Sequence, residues 1–184
     1  IQNGGGLTTE LNDIEGAETV IISVGSQSLR SLLQEPPLQA LRSKTVVLCM
    51  KGLEMDTGKR LSQIAGECLD PSNTVAVWLG PGHVQEFYRG IPNCMVIDSE
   101  NDEVKRRLVQ EFSSDLIRFY YGGDMIGNEV GAAAKNVVGI AAGFLDGVEM
   151  SSLKGALMSR GTREVARLIR AMGGSELSAY GLCH

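Results

Sequence analysis

The chain has 184 residues, 43% hydrophobic and 21% charged, enough for one large domain or two small ones with a real core. Its net charge of −5 argues against nucleic acid or an anionic membrane as the main partner, while leaving room for a local basic pocket that takes an anionic substrate. Four cysteines without a CxxC spacing and only two histidines support neither a metal site nor a disulfide scaffold.

Residues 1–9 are Gly-rich and polar and read as a loop. Residues 18–25 (ETVIISVG) form a continuous β-branched run, as in a buried parallel strand. Residues 27–34 predict a short helix stopped by Pro36 and Pro37. Residues 44–50 (KTVVLCM) predict a second strand, which delivers Lys51 and Gly52 at its carboxyl end. Asp56-Thr-Gly leads into a helix running to about Leu69. Residues 74–79 (TVAVWL) predict a third strand, ending in Gly80-Pro81-Gly82, with a short helical segment over 83–89. Residues 94–98 (CMVID) predict a fourth strand, 102–112 an amphipathic helix, and 117–121 (IRFYY) a fifth strand. Alternating helices and doubly apolar strands imply an α/β fold with a parallel sheet covered on both faces. From Asp124 the pattern changes to two long helices, about 125–145 and 151–172, so the expected boundary divides 1–122 from 123–184.

The first long helix carries Gly131, Lys135, Gly139 and Ala142 on one face. Glycine inside a helix costs about 1 kcal/mol relative to alanine, so Gly131, Gly139 and Gly143 suggest that a backbone or a ligand comes close. A lysine partly desolvated there has a lowered pKa and suits proton transfer. The structural alternative is a packed core helix whose lysine snorkels to solvent. Lys51 and the Gly80–Gly82 turn lie outside the carboxyl ends of the strands, where open α/β sheets bind ligands. A dinucleotide-binding sheet opens with a strand and GxGxxG. The only candidate, Gly4-Gly-Gly6, has Thr9 at the third position and no strand before it, so the first βαβ unit is expected to be missing.

The ordered set of motifs resembles the NAD(P)-dependent glycerol-3-phosphate dehydrogenases of bacterial type, over nearly the whole chain. Val24-Gly-Ser-Gln27 resembles the family's Pro-Ser-Gln turn, and Lys51-Gly-Leu-Glu54 its Lys-Gly-Leu/Ile-Glu motif. Gly80-Pro81 resembles its Gly-Pro loop, residues 126–146 its helix bearing Lys-Asn, and Ser159-Arg-Gly161 the Thr/Ser-Arg-Gly that follows. The resemblance implies a parallel Rossmann-type sheet followed by an all-α domain. It implies that sn-glycerol 3-phosphate and dihydroxyacetone phosphate are interconverted with NAD or NADP, in the cytoplasm, supplying glycerophospholipid synthesis. Lys135 would be the general acid/base, Lys51 would contact substrate and cofactor, and Gly80, Gly82 and Asn136 would line the substrate pocket. Ser26, Gln27 and Val84 would touch the dinucleotide. No metal, membrane or nucleic acid is implied, and a homodimer is compatible. Gly25, Gly82 and His83 depart from the usual proline, hydroxyl and aromatic residues, and His83 is read as a surface or packing residue rather than a base. Arg160 is read as structural, paired with Glu164 at i+4, and Asp146 as a loop or cap residue. With the first turn and the later phosphate-binding region missing, the chain reads as the central segment of a longer enzyme, without normal activity alone. Two other readings stand beside this one: a related dehydrogenase of another hydroxy acid or sugar, and a non-catalytic module in which the 125–145 helix pairs with another helix.

Overall fold

The computed structural model describes residues 5–82 and 84–182. Five strands form one sheet in chain order: β1 (Thr19–Ile22), β2 (Thr45–Leu48), β3 (Thr74–Leu79), β4 (Asn93–Ser99) and β5 (Ile117–Tyr121). Strands β1, β2 and β3 are parallel to one another, and β4 and β5 are parallel to each other. The expectation of an all-parallel sheet fails at one place, because β3 and β4 run antiparallel, with Val77 opposite Asp98. The link between them explains this. Its helix α4 (Val84–Tyr88) has five residues and spans about 8 Å. So short a helix makes a poor crossover along a six-residue strand of about 20 Å, and the chain turns and returns beside β3.

The helices sort onto the two faces. Helices α1 (Leu29–Leu33), α2 (Pro36–Gln39) and α3 (Leu61–Cys68) cover one face, where Leu29, Leu33, Leu38 and Ile64 pack on Ile22, Val46, Leu48 and Val77. Helix α5 (Asp102–Phe112) covers the other, where Leu108 and Val109 pack on Val47, Ala76, Ile97 and Phe119. Alternate residues of β2 thus enter opposite cores, and all four of its residues are buried. Pro36 starts α2 instead of ending a helix, since proline's fixed φ suits a first helical turn. Asp56-Thr-Gly is a turn, and α3 begins only at Leu61.

Helix α6 (Met125–Gly147) packs with α7 (Ser151–Ala171) around a third core of Val130, Val165, Ala166, Ile169 and Ala179. Ala132 of α6 joins the first sheet core. The two buried carboxylates among the described residues, Asp98 and Glu129, are 2% and 5% exposed, and both fasten α6. Asp98 Oδ2 accepts from the Asp124 amide at 3.0 Å and from Asn128 Nδ2 at 2.7 Å, and Oδ1 from the Ser99 amide at 2.9 Å and Lys105 Nζ at 3.5 Å. Glu129 accepts from Arg60 Nη1 at 2.5 Å, the Ser62 amide at 2.9 Å and Ser62 Oγ at 2.6 Å. Asp124 caps α6 through the Gly127 amide at 3.0 Å and takes Ser178 Oγ at 2.6 Å and the Ser175 amide at 2.8 Å. Burial would raise its pKa, but the Ser178, Gly127 and Ser175 bonds outweigh that and hold the carboxyl below its usual value.

Candidate active site

Three loops meet where β1, β2 and β3 end. The first holds Gly25-Ser26-Gln27, the second runs from Lys51 to Glu54, and the third is Gly80-Pro81-Gly82. Gln27 stitches the first to the second: its Nε2 donates to the Leu53 carbonyl at 2.9 Å, and its Oε1 accepts from the Met55 amide at 2.9 Å. The stitch is close because Gly52 has no side chain. A Cβ there would stand 2.9 Å from Ser26 Oγ, and its φ of +143° is one that L side chains rarely adopt. Lys51 joins the second loop to the third by donating from Nζ to the Gly80 carbonyl at 2.7 Å. Gly80 is buried at φ +146°, and a Cβ would meet Met95 Cα at 3.0 Å.

The second loop is braced from outside. Arg30 meets Glu54 with two bonds, Nε to Oε1 at 2.7 Å and Nη2 to Oε2 at 2.9 Å, and Thr57 Oγ1 adds a third at 2.5 Å. The Arg30 and Thr57 bonds hold the Glu54 carboxyl down at a pKa of about 2. Behind the loops, burial raises the Cys49 thiol to about 11.

Helix α6 runs past these strand ends. Between the second loop and the helix pair lies an apolar cavity of about 480 Å³, lined by Gly52 and Leu53 on one side and Val130, Ala134, Val138 and Gly161 on the other. Lys135 stands one turn beyond buried Gly131, half-buried, and makes no hydrogen bond or ion pair among the described residues. It is not among the residues lining this cavity. Seven helical residues lead to it from Asn128, which Asp98 holds, an advance of about 10 Å along the helix axis.

The remaining candidates are spread out. Ser26 is half-buried and Gln27 exposed, but both sit in the stitched loop. Val84 is 63% exposed at the start of α4. Gly82 is half-buried, and Met95 Cε fills the space a side chain would take there. Asn136 is exposed on α6, and His83 lies outside the described residues. Gly139 and Gly143 have nothing within 4 Å of a built Cβ, so no close approach explains them; the close approach occurs across the helix pair, at Gly161. Glu164 pairs with Arg167 at 3.2 Å, not with Arg160, its side chain turning toward the carboxyl end of α7. Asp146 accepts from Lys154 of α7 at 2.6 Å. Among the described residues no helix is long and apolar enough to cross a membrane, and no cluster of three or more metal-ligating side chains occurs.

A mostly parallel sheet, glycine turns at its strand ends and a helix pair over them define an α/β protein of Rossmann type with an appended helical layer. The chain belongs to the NAD-dependent glycerol-3-phosphate dehydrogenase family: residues 7–105 match the family's N-terminus and 124–184 its C-terminus. It is 34% identical to a glycerol-3-phosphate dehydrogenase [NAD(P)+] of Clostridium botulinum over 169 residues, covering 91% of this chain and 51% of the relative. A Sinorhizobium fredii enzyme of the same name is 34% identical over 180 residues, covering 97% and 54%. The crystal structure of glycerol-3-phosphate dehydrogenase from Coxiella burnetii superposes with a TM-score of 0.86 at 27% identity, covering 95% of this chain and 54% of that one. The chain spans about half the length of the curated relatives it matches.

Proposed function

We propose that this chain carries the acid/base helix and the strand-end loops of a glycerol-3-phosphate dehydrogenase, with residues 1–122 as a partial dinucleotide-binding unit and 123–184 as the start of the helical substrate unit. The observation that carries the reading is the convergence of the three motif loops, tied by Gln27 and Lys51, at the strand ends beside α6. The loops fit an extended anionic cofactor. Ser26 offers a hydroxyl at the strand end, held beside the loop that Gln27 ties, Lys51 a cation, and exposed Val84 an apolar face for a ring. NAD or NADP, when bound, supplies the hydride acceptor or donor.

The residues of this chain then divide the remaining work. In the oxidation direction the C2–H bond of sn-glycerol 3-phosphate breaks with its electron pair leaving as hydride. The hydroxyl proton passes to Lys135 Nζ, leaving the carbonyl of dihydroxyacetone phosphate; in reduction the lysine returns it. Lys51 orients substrate beside cofactor, and the Gly80–Gly82 turn and Asn136 line the pocket. The product of reduction feeds glycerophospholipid synthesis in the cytoplasm.

The test is oxidation of NADH and of NADPH by the full-length gene product with dihydroxyacetone phosphate. Phosphate-dependent turnover that vanishes in Lys135→Ala, with an unchanged melt, is the expected result. A Lys135→Ala protein keeping most of its kcat would remove the lysine from the mechanism.

A further inference from the structure

We infer that Asp98 and Glu129 are positioning residues that set the height of Lys135 along the α6 axis, an inference that rests on the role given to Lys135 above. Both carboxylates are buried, and burying a charge is costly unless donors compensate it. Here each has its donors, and each holds α6 to a different part of the sheet unit. Asp98 fastens Asp124 and Asn128 to the fourth strand. Glu129 fastens the next residue of the helix to Arg60 and Ser62 at the start of α3.

The two ties leave α6 little freedom. Adjacent residues of an α-helix point about 100° apart, since 3.6 residues make a turn. Asn128 and Glu129 therefore hold the helix from two directions at one level, which resists both sliding and rotation. Lys135 lies about 10 Å further on, so a small slide or twist at the ties reaches its amine directly. The site on the other side is equally fixed. Gly80 directly follows β3, which pairs with β4 through Val77 and Asp98, so one carboxylate references both the helix and the strand carrying the turn. Proton transfer needs the amine within about 3 Å of the substrate hydroxyl, and misplacement by about 1 Å costs about 10²-fold.

The experiment uses the full-length gene product and the isosteric changes Asp98→Asn and Glu129→Gln. Each is expected to lower kcat about 10- to 100-fold while KM for the nicotinamide cofactor stays within about twofold, because neither carboxylate hydrogen-bonds to a residue of the three loops. A solvent deuterium isotope effect on kcat should grow, since proton transfer becomes slower than the steps around it. A purely structural role would lower the melting temperature and leave kcat and the isotope effect untouched below it; that outcome would overturn the inference while leaving the function standing. If the two variants do not fold, Asn128→Ala and Ser62→Ala each remove donors and spare the carboxylate, and each should lower kcat about 3- to 10-fold with the same split. Unchanged kcat in both would equally overturn it. Full turnover by Lys135→Ala would instead remove the reading beneath it, and the inference with it.

Discussion

Replacing Gly161 by alanine sets two rules against each other. By helix propensity, alanine within α7 stabilises by about 1 kcal/mol. In the structure a Cβ at Gly161 would stand 2.8 Å from both Cγ1 and Cγ2 of Val138 on α6, where ordinary carbon contacts lie near 3.5–4.0 Å. Valine in a helix holds one rotamer, so its methyls cannot swing aside, and the helices must separate instead. Overpacking of this kind costs about 1–3 kcal/mol, so the net effect is a loss of about 0–2 kcal/mol. Val138→Ala removes both methyls, at about 0.8 kcal/mol for each group buried. In the double variant the new methyl fits and the propensity gain returns. The expected coupling is therefore at least about 1 kcal/mol, the double variant being more stable than the sum of single changes allows. Urea denaturation of the four proteins, followed by circular dichroism, measures it. A Gly161→Ala protein more stable than wild type would show that the helix pair yields freely and that the close approach has no energetic weight.

Other outcomes follow from the loops. Glu54 titrates lower in the folded chain than its ordinary 4.5, so its contribution is complete above that value and fades as pH falls toward about 2. Arg30→Ala removes the main cause, so its acid unfolding midpoint should rise; an unmoved midpoint would deny the pair a part in acid stability. Cys49, raised to about 11 by burial, should be alkylated at pH 8 far more slowly than a model thiol, as read by peptide mass spectrometry, and rapid labelling would show an open site. Gln27→Ala unties two loops and should cost about 1–2 kcal/mol, at about 1 kcal/mol for each hydrogen bond. In the full-length protein it should also weaken nicotinamide cofactor binding, measured by titration calorimetry; unaltered affinity would separate the stitch from the cofactor.

The strands were legible in their short β-branched and aromatic runs: 74–79 and 117–121 fall on the residues expected, although β5 buries only Phe119. The reversal at β4 was not legible, since CMVID reads alike in either direction and the short helix before it gives no clear crossover signal. The motif loops could be found by their glycines, Gly52 and Gly80, whose positive φ values account for them. Asp98 and Glu129 went unseen. Each left a faint sign, one a carboxylate closing an apolar strand, the other an acid within an Ala-rich helix, but such residues are usually exposed. Their partners, Asn128 for one and Arg60 and Ser62 for the other, are 30, 69 and 67 residues away, and no local pattern joins them.

The order of the sheet bears on how the protein is made. Every strand pairs with the one before it in the chain, from β1 through β5. Among the described strands none must be inserted later between two already joined, and each closure spans a single crossover, so its entropic cost grows only slowly with the length of that segment. A chain emerging from the ribosome can add strand to strand as it lengthens, each finding its neighbour's edge already formed. The helices that need the finished sheet, α6 and α7, follow all five strands in the chain, so Lys135 reaches its place only after the surface beneath it exists.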